Sequence, residues 1–555
     1  MRETQSQSDT AAVPQSSATM DMLARLNELN AIGAALSNEK NIDVLLEYIL
    51  LAAKKITNAD AGTLYLVDSE RQVLTFEIMR TDSLGVQMGG TTGKRIPFPP
   101  IQMYIDGQPN LAMVVTYAAL RGETVNIEDA YLVEGFDFSG TKNFDAKTGF
   151  RSQSFLTVPM RNHESEIIGV VQLINAIDPV SKKVKSFSQD DQQLLESLTS
   201  QAAIALSNRR LIQQLEGLFE SFIGLINTAI DDKSPYTAGH CVRVPALTMM
   251  LAEAASHAHV EKSWPGFVMT DKEQYELKIA AMLHDCGKIT TPVHVVDKST
   301  KLETIYDRIH LVDARFEVLK RDAEIAMLRA EMAAGGDSAV TEQARQTYAA
   351  AIEQYEADRK FLRWCNMGSE RMADEELERV RKIAKYQWRN EEGEMADFLS
   401  ADEVENLTIR AGTLTAAERE IINHHIVVTI KLLESLPWPK HLKNVTAYAG
   451  AHHERMDGTG YPRGLTRDQM SLQARMMSIA DIFEALTAKD RPYKEGKMLT
   501  DALNILGKFK LNGHIDPDLF DIFIREKVYL TYAQQFLDPS QINEVDESKI
   551  PGYVP

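Results

Sequence analysis

Residues 452–462 read HHERMDGTGYP, and this stretch decides how the C-terminal half of the chain is organised. Gly458 and Gly460 admit backbone conformations closed to other residues, and Pro462 stiffens the exit. A loop of that kind sets backbone against a ligand or against neighbouring helices, and the histidines at its start offer imidazole nitrogens to a metal. Working outward, four more segments bring the same chemistry. They are YTAGHCVRV (236–244) with His240, LHDCGKI (283–289) with His284–Asp285, EIINHHIVV (420–428) with His425, and ADIFEALTAKDRPYK (480–494) with Asp481. A lone histidine on a helix is usually a core or surface residue, so the set matters more than any member. Of the 13 histidines only His163 precedes His240, whereas solvated histidines would scatter evenly.

Neutral imidazoles and carboxylates together bind borderline divalent metals. An aspartate beside a ligating histidine can bridge two metals with its two oxygens. Two cations about 3.5–4 Å apart share a hydroxide, clamp a phosphoryl group and lower the pKa of water toward about 7. Lys288 follows His284 in the same segment. If the segment is helical both face one way, and Lys288 is placed to meet a phosphate oxygen. A solvated lysine is the plain alternative.

The chain of 555 residues exceeds one ordinary core, which suggests two to four domains. Its composition, 44% hydrophobic and 25% charged, is globular. A formal net charge of −19 argues against nucleic-acid polymers or an anionic membrane face as partners. A small anionic substrate then needs local positive charge, which metal ions supply. Cys241, Cys286 and Cys365 form no CxxC pair and suggest a reducing compartment. Residues 1–19 are polar, lack the pattern of a signal peptide and read as a disordered tail. No apolar run approaches the roughly 20 residues of a spanning helix, so a cytoplasmic protein is expected.

The first half mixes helix and strand. Helical spacing runs from about Met20 to Thr57, and alternating runs follow at GTLYLVD (62–68), VLTFEIM (73–79), SFLTVPMRN (154–162) and IIGVVQLINA (167–176). A helix is expected from about Gln189 to Asp231, with Ser188 as N-cap and Asp191 as its partner. Leu194, Leu198, Leu211, Leu215, Leu218, Phe222 and Leu225 give it an apolar seam, which suggests a connector that pairs with a second copy. Two helices broken near Asn208 are the alternative. Past residue 232 the pattern is almost wholly helical. Residues 303–411 split at Gly335–Gly336 into two stretches, as in an antiparallel helical hairpin.

The order of elements, with Asn175 after a strand and Phe187 and Asp191 before the long helix, resembles a GAF domain over about residues 40–208. NFDAKTGFRSQSFLTVPM (143–160) is similar to the segment lining the ligand pocket of cyclic-nucleotide-type GAF domains. Ala176 and Gln192 stand where the family signature has Lys and Glu. The resemblance implies an α+β sensor domain, an antiparallel sheet with flanking helices, and a small-molecule ligand whose identity the sequence does not give. A dimerisation module with a vestigial pocket is the alternative. The absence of cysteine here rules out a thioether-linked bilin.

His284–Asp285 followed by Gly460–Tyr461–Pro462 resembles the HD-GYP family, a branch of the HD phosphohydrolases that hydrolyses cyclic di-GMP and in some cases 3′,3′-cyclic GMP-AMP. The resemblance covers 228–302 and 412–535 and implies an all-α catalytic domain, interrupted by residues 303–411 and followed by a C-terminal tail at 536–555. It implies metal ligation by His240, His284, Asp285, His425, His452, His453 and Asp481, with Asp285 and Lys288 catalytic. It implies substrate contacts from Lys288, Arg491, Lys494, Asp457, Gly460 and Tyr461. His425 takes the ligand role ahead of His310, because it stands at the family's distance from Leu414–Thr415 and from His452. Tyr236 occupies the position of a third-metal glutamate, so two ions are expected, iron or manganese, with nickel or zinc as alternatives. The implied reaction is hydrolysis of cyclic di-GMP to linear pGpG, with a second cut to GMP as an option, under control of the GAF-like domain in a homodimer. The alternatives are cyclic GMP-AMP hydrolysis and a catalytically weak receptor.

Overall fold

The computed structural model describes residues 17–233, 239–258, 267–368, 371–390, 392–489 and 496–555. Two compact units divide between Leu218 and Phe219. Among the described residues no helix is long and apolar enough to cross a membrane.

The first unit is built on one antiparallel sheet whose central path runs Val86–Gly89, Val73–Thr81, Ala59–Asp68, Ile167–Ile177, Phe155–Arg161, Val125–Ile127. Alternation along the strands sends Leu64, Leu66, Ile78, Leu156, Val158, Val171 and Leu173 to one face. There they meet Leu45, Leu46, Ile49 and Leu50 of the helix Ile42–Thr57, and Leu194, Leu195 and Leu198 of the helix that starts at Gln189. The opposite face carries Tyr65, Leu74 and Val170 against Val115 and Ala118 of the helix Val114–Arg121. A cavity of about 480 Å³ opens on that side, lined by Tyr65, Phe76, Phe98, Phe144, Phe155 and Gln172 among others.

The sequence-matched positions of this unit act on its backbone. Asn175, at φ 60°, accepts from the backbone N–H groups of Gln153 and Ser154 and donates to the Arg151 carbonyl. Asp145 is buried and accepts from Ser152 and from the Tyr131 hydroxyl. Asp191 and Ser188 exchange hydrogen bonds as the capping pair of the long helix, and Asp191 also pairs with Arg25. That helix runs unbroken from Gln189 to Lys233, through Asn208. The first described helix begins at Ser17, inside the stretch read as a tail; residues 1–16 lie outside the described residues.

The second unit is helical around one core drawn from His240–Ala258, Asp271–Leu283, Leu472–Thr487, Leu499–Leu511, Pro517–Arg525 and Val528–Phe536. Residues 303–411 form a subdomain with its own core, which includes Phe316, Leu362, Val380 and Phe398 and takes in Leu302 just ahead of it. Its helices Ile309–Ala333 and Ser338–Asn366 are antiparallel, as the pairs Asp313–Arg359, Lys320–Glu356 and Glu331–Arg345 show. The hairpin is not the whole of it. The helix Asp374–Ala384, a two-stranded ribbon of Gln387–Arg389 and Met395–Asp397, and the helix Ala401–Leu407 complete the core. The ribbon escapes helical periodicity because each strand is only three residues long.

Residues 536–555 are not a tail. Gln541 and Ile550 are buried, and Tyr529 donates to Glu547. Phe536, Leu537, Ile542, Val545, Ile550 and Tyr553 pack on the helical core, at a spacing too irregular to announce an element in sequence.

Candidate metal centre

Four helices and two turns bring the donors together. His284 ends the helix Asp271–Leu283, His425 opens His425–Glu434, and His452 follows Val445–Ala449. These three share one device. Each Nδ1 lies against the carbonyl three residues back: His284 on Ala281 at 2.7 Å, His452 on Ala449 at 2.6 Å, and His425 on Ile422. An Nδ1–H donated to a carbonyl leaves Nε2 as the lone-pair nitrogen, pointing away from its own helix.

Those lone pairs fall in two groups. His240, His284 and Asp285 place one ligand atom each within 4.8 Å of one another, and so do His425, His452 and His453. Asp285 spans both. Its Oδ2 lies 3.0 Å from His240 Nε2 and 3.3 Å from His284 Nε2, while its Oδ1 lies 3.3 Å from His425 Nε2. Asp481 repeats the pattern, with Oδ1 3.3 Å from His240 Nε2 and Oδ2 3.9 Å from His453 Nδ1.

The reach of Asp285 toward His425 depends on Gly287. A Cβ there would sit 2.0 Å from the His425 carbonyl oxygen, and the Gly287 N–H donates to the Thr429 hydroxyl at 2.9 Å. The turn Cys286–Thr290 is a 3-10 helix, so Lys288 does not stand one α-turn above His284. It folds back instead, with its ammonium 2.5 Å from Asp285 Oδ2.

Charge and burial agree with a cation site. Burial pushes the Asp285 carboxyl up, but Lys288 and His284 outweigh it and hold it well below the usual carboxylate range. Burial opposes protonation of His240, yet Glu484, Asp285 and Asp481 outweigh it and raise the ring well above its ordinary value. The carboxylates thus demand positive charge at this point, which a proton or a divalent cation supplies. Burial lowers His452 well below its ordinary value and His453 to about 4, which keeps both as neutral ligands. Asp285 Oδ1, His425 Nε2 and His452 Nε2 are buried without a hydrogen-bond partner. Such atoms are costly unless something binds them. Borderline divalent ions fit this donor set and would be held by His240, His284, Asp285, His425, His452, His453 and Asp481.

The loop after His453 wraps the second group. Glu454 is fully buried and accepts from the backbone N–H groups of Arg463 and Leu465, which ties the loop's exit to its start. Gly458 has the expected positive φ of 78°. Gly460 does not; it is required because a Cβ there would meet Arg455 N at 2.3 Å and Glu454 Cα at 2.5 Å. The Tyr461 ring stacks on His453, with centroids 5.0 Å apart. Burial raises the Tyr461 hydroxyl, which stays protonated. Asp457 accepts from Thr459 and donates its backbone N–H to the Gly513 carbonyl. His310 is exposed on the subdomain helix. Arg491, Lys494 and Tyr236 lie outside the described residues.

Sequence reasoning missed Glu484. It lies one turn beyond Asp481, accepts from His240 Nδ1 at 2.6 Å and pairs with Arg243 at 2.7 Å. The carboxylate thereby orients an imidazole of the donor cluster. Its signal was available: Asp481 and Glu484 share a helix face, as do His240 and Arg243.

Buried imidazoles and carboxylates gathered on helices in two facing groups form a site that could hold divalent cations. Family comparison agrees and is more specific. A GAF domain model matches residues 41–206, and two HD domain models match residues 237–417 and 399–519. The chain carries a GAF domain followed by an HD domain. Among curated proteins it is 40% identical over 111 residues to 3′3′-cGAMP-specific phosphodiesterase 3 of Vibrio cholerae, covering 20% of this chain and 23% of that one. It is 47% identical over 74 residues to cyclic di-GMP phosphodiesterase PA4108 of Pseudomonas aeruginosa, covering 13% and 17%. It is 31% identical over 176 residues to dual 3′,5′-cyclic-AMP and -GMP phosphodiesterase 11A of Takifugu rubripes, covering 32% and 18%. Each match thus spans under a quarter of the relative's length.

Proposed function

We propose that the HD domain is a cyclic dinucleotide phosphodiesterase of HD-GYP type that opens cyclic di-GMP to linear pGpG. The observation that carries this reading is Asp285, with one oxygen toward each donor group and Lys288 against it. Two divalent cations, iron or manganese, supply Lewis acidity when bound: they neutralise phosphoryl charge and make water acidic near neutral pH. The chain's own residues do the rest. Glu484 orients His240, and the carbonyls of Ala281, Ile422 and Ala449 fix three imidazoles. Lys288 exchanges its contact with Asp285 for a phosphoryl oxygen of the substrate and steadies charge there. Tyr461, protonated and stacked on His453, closes one wall and offers a hydroxyl donor. Arg491 and Lys494, which follow the Asp481 helix in sequence, are the residues expected to meet the second phosphate.

Anaerobically purified protein loaded with manganese or iron, incubated with cyclic di-GMP and analysed for pGpG and GMP, tests the assignment. Absence of turnover with both metals present overturns it. Two metals per subunit are expected by elemental analysis. Cyclic GMP-AMP is the second substrate to assay, because the 40%-identical stretch belongs to an enzyme named for it.

A homodimer through the long helix completes the reading. Ile204, Asn208, Leu211, Leu215, Leu218, Phe222, Leu225 and Ala229 alternate at spacings of four and three. Leu215 and Leu225 are each 64% exposed and Phe222 57%. That is the seam of a two-stranded parallel coiled coil, with Asn208 at an a position setting the register. Replacing Leu215 and Leu225 together by Glu should convert a dimer to a monomer in light scattering; an unchanged mass would defeat the idea.

A further inference from the structure

The last fifteen or so residues of the helix Gln189–Lys233 belong to the second unit. Ile223 and Ile230 are buried in that unit's core, Phe219 meets Trp438 edge-on with ring centroids 6.2 Å apart, and Glu220 pairs with Lys278 at 2.9 Å. The helix is therefore seated before its last turn is reached. That turn offers an acid and a base. Asp231 Oδ2 accepts from the Gly239 N–H at 3.3 Å. Lys233 Nζ donates to the Ile289 carbonyl at 2.5 Å and to the Lys288 carbonyl at 3.4 Å. Two residues apart on a helix, these side chains leave it on nearly opposite sides. The helix end thus grips two separate segments.

Both segments lead into the donor cluster. Gly239 precedes His240, and its carbonyl accepts from the Arg243 N–H at 2.9 Å, so a fixed Gly239 fixes the first turn of the helix His240–Ala258. The turn Cys286–Thr290 continues from Asp285 and closes on it, with the Lys288 N–H donating to the Asp285 carbonyl at 2.9 Å. Thr429 holds this turn at Gly287, and Lys233 supplies a second hold. His240 and Asp285 stand 3.0 Å apart and, with His284, make up one of the two donor groups. Among the described residues, the hydrogen bonds of Asp231 and Lys233 go to the two segments of that group and to neither segment that carries His425, His452 and His453.

We propose that Asp231 and Lys233 are positioning residues of the metal centre, which together hold His240 and Asp285 at the spacing one of the two cations needs. The inference rests on the two-cation reading of the donor cluster and not on the choice of substrate. Donors already in place bind a metal more tightly than donors that must be ordered on binding. Loosening these segments should therefore weaken the ion beside His240 and His284 more than the ion beside His425, His452 and His453. Charge alone makes a different prediction. Removing the Lys233 cation would tighten a nearby metal, and removing the Asp231 anion would loosen it. Positioning requires that both changes weaken it.

The test uses the full-length, manganese-loaded protein, challenged with graded EDTA, with the bound manganese counted by elemental analysis. In Lys233→Met and in Asp231→Asn, one of the two ions should come off at about threefold to tenfold lower EDTA than in wild type, and the other within about twofold. Lys233→Arg keeps a cationic donor and should restore the wild-type curve. Adding Lys233→Met to His240→Ala, which has already lost that ion's ligand, should weaken the remaining ion less than about twofold. Lys233→Met with its Arg rescue carries the test if Asp231→Asn folds poorly. Tighter binding in Lys233→Met, equal weakening of both ions, or wild-type curves in both variants would overturn the proposal. A wild type that takes up fewer than two ions defeats the two-cation reading itself, before any variant is compared, and this inference with it.

Discussion

The cavity under the N-terminal sheet and the donor cluster of the C-terminal domain are both enclosed by well-packed elements, yet their linings differ in kind. The cavity is walled by Tyr65, Phe76, Phe98, Phe138, Phe144 and Phe155, and Asp137 is the one charged residue among the described residues that line it. Its interior polar groups satisfy each other, with Gln172 donating to Thr157 at 3.1 Å. The cluster is the reverse, with donors crowded at 3.0–3.9 Å and three buried atoms lacking partners. An aromatic wall with satisfied polar groups suits a flat ligand without a phosphate, since no cation stands ready to meet one. Unsatisfied, converging donors suit a metal. Of the two regions, the donor cluster alone thus gathers the charge and lone pairs that a divalent cation needs.

That contrast can be broken at several points. Asp285→Ala removes the carboxylate shared by both donor groups and should lower turnover by at least about a thousandfold, with loss of bound metal in elemental analysis. Retained metal together with retained activity would show that the groups do not depend on it. Lys288→Ala leaves every donor in place, so metal content should hold while kcat falls roughly a hundredfold. A matching fall in metal content would reassign Lys288 to structure. Glu484→Gln keeps the shape but weakens the hold on His240, and metal affinity should drop about tenfold to a hundredfold by competition with a chelator.

Metal removal sharpens the comparison by stability. Chelation should lower the melting temperature of the C-terminal transition by several degrees, because ligands that bind only the folded state stabilise it, and leave the N-terminal transition alone. The smallest expected effect concerns the cavity. Cyclic AMP or cyclic GMP at millimolar concentration should shift the N-terminal transition by less than about a degree; a shift of several degrees would show that the cavity accepts a phosphate after all.

The legibility of the two regions differed for physical reasons. The candidate donors were readable because few residue types offer imidazole or carboxylate atoms, and because the His–Asp pair and the glycine-bearing loop are rare strings. The paired strands and the long helix were readable from period alone. Glu484 was not, since a glutamate on a helix is ordinary until His240 is seen beside it. Lys288 was read as one helical turn from His284, but the 3-10 turn after Asp285 folds it onto the carboxylate instead. Gly460 was read as a residue of unusual φ, whereas the structure requires it for the close approach of Glu454 and Arg455. The segment 536–555 was read as a tail because the apolar residues it packs on the core, from Phe536 to Tyr553, follow neither helical nor strand spacing.

Sequence alone determined which residue types are available for metal chemistry, the two-part order of the chain and the period of its long helix. These follow from local rules of valence, spacing and propensity. Tertiary structure decided how the donors are shared: that Asp285 and Asp481 each turn one oxygen to either group, that three backbone carbonyls fix three imidazoles, and that the Gln541 amide joins the Thr487 and Lys497 carbonyls. Those are relations between residues far apart in the chain, and only packing brings them within the few ångströms over which a hydrogen bond or a metal bond acts.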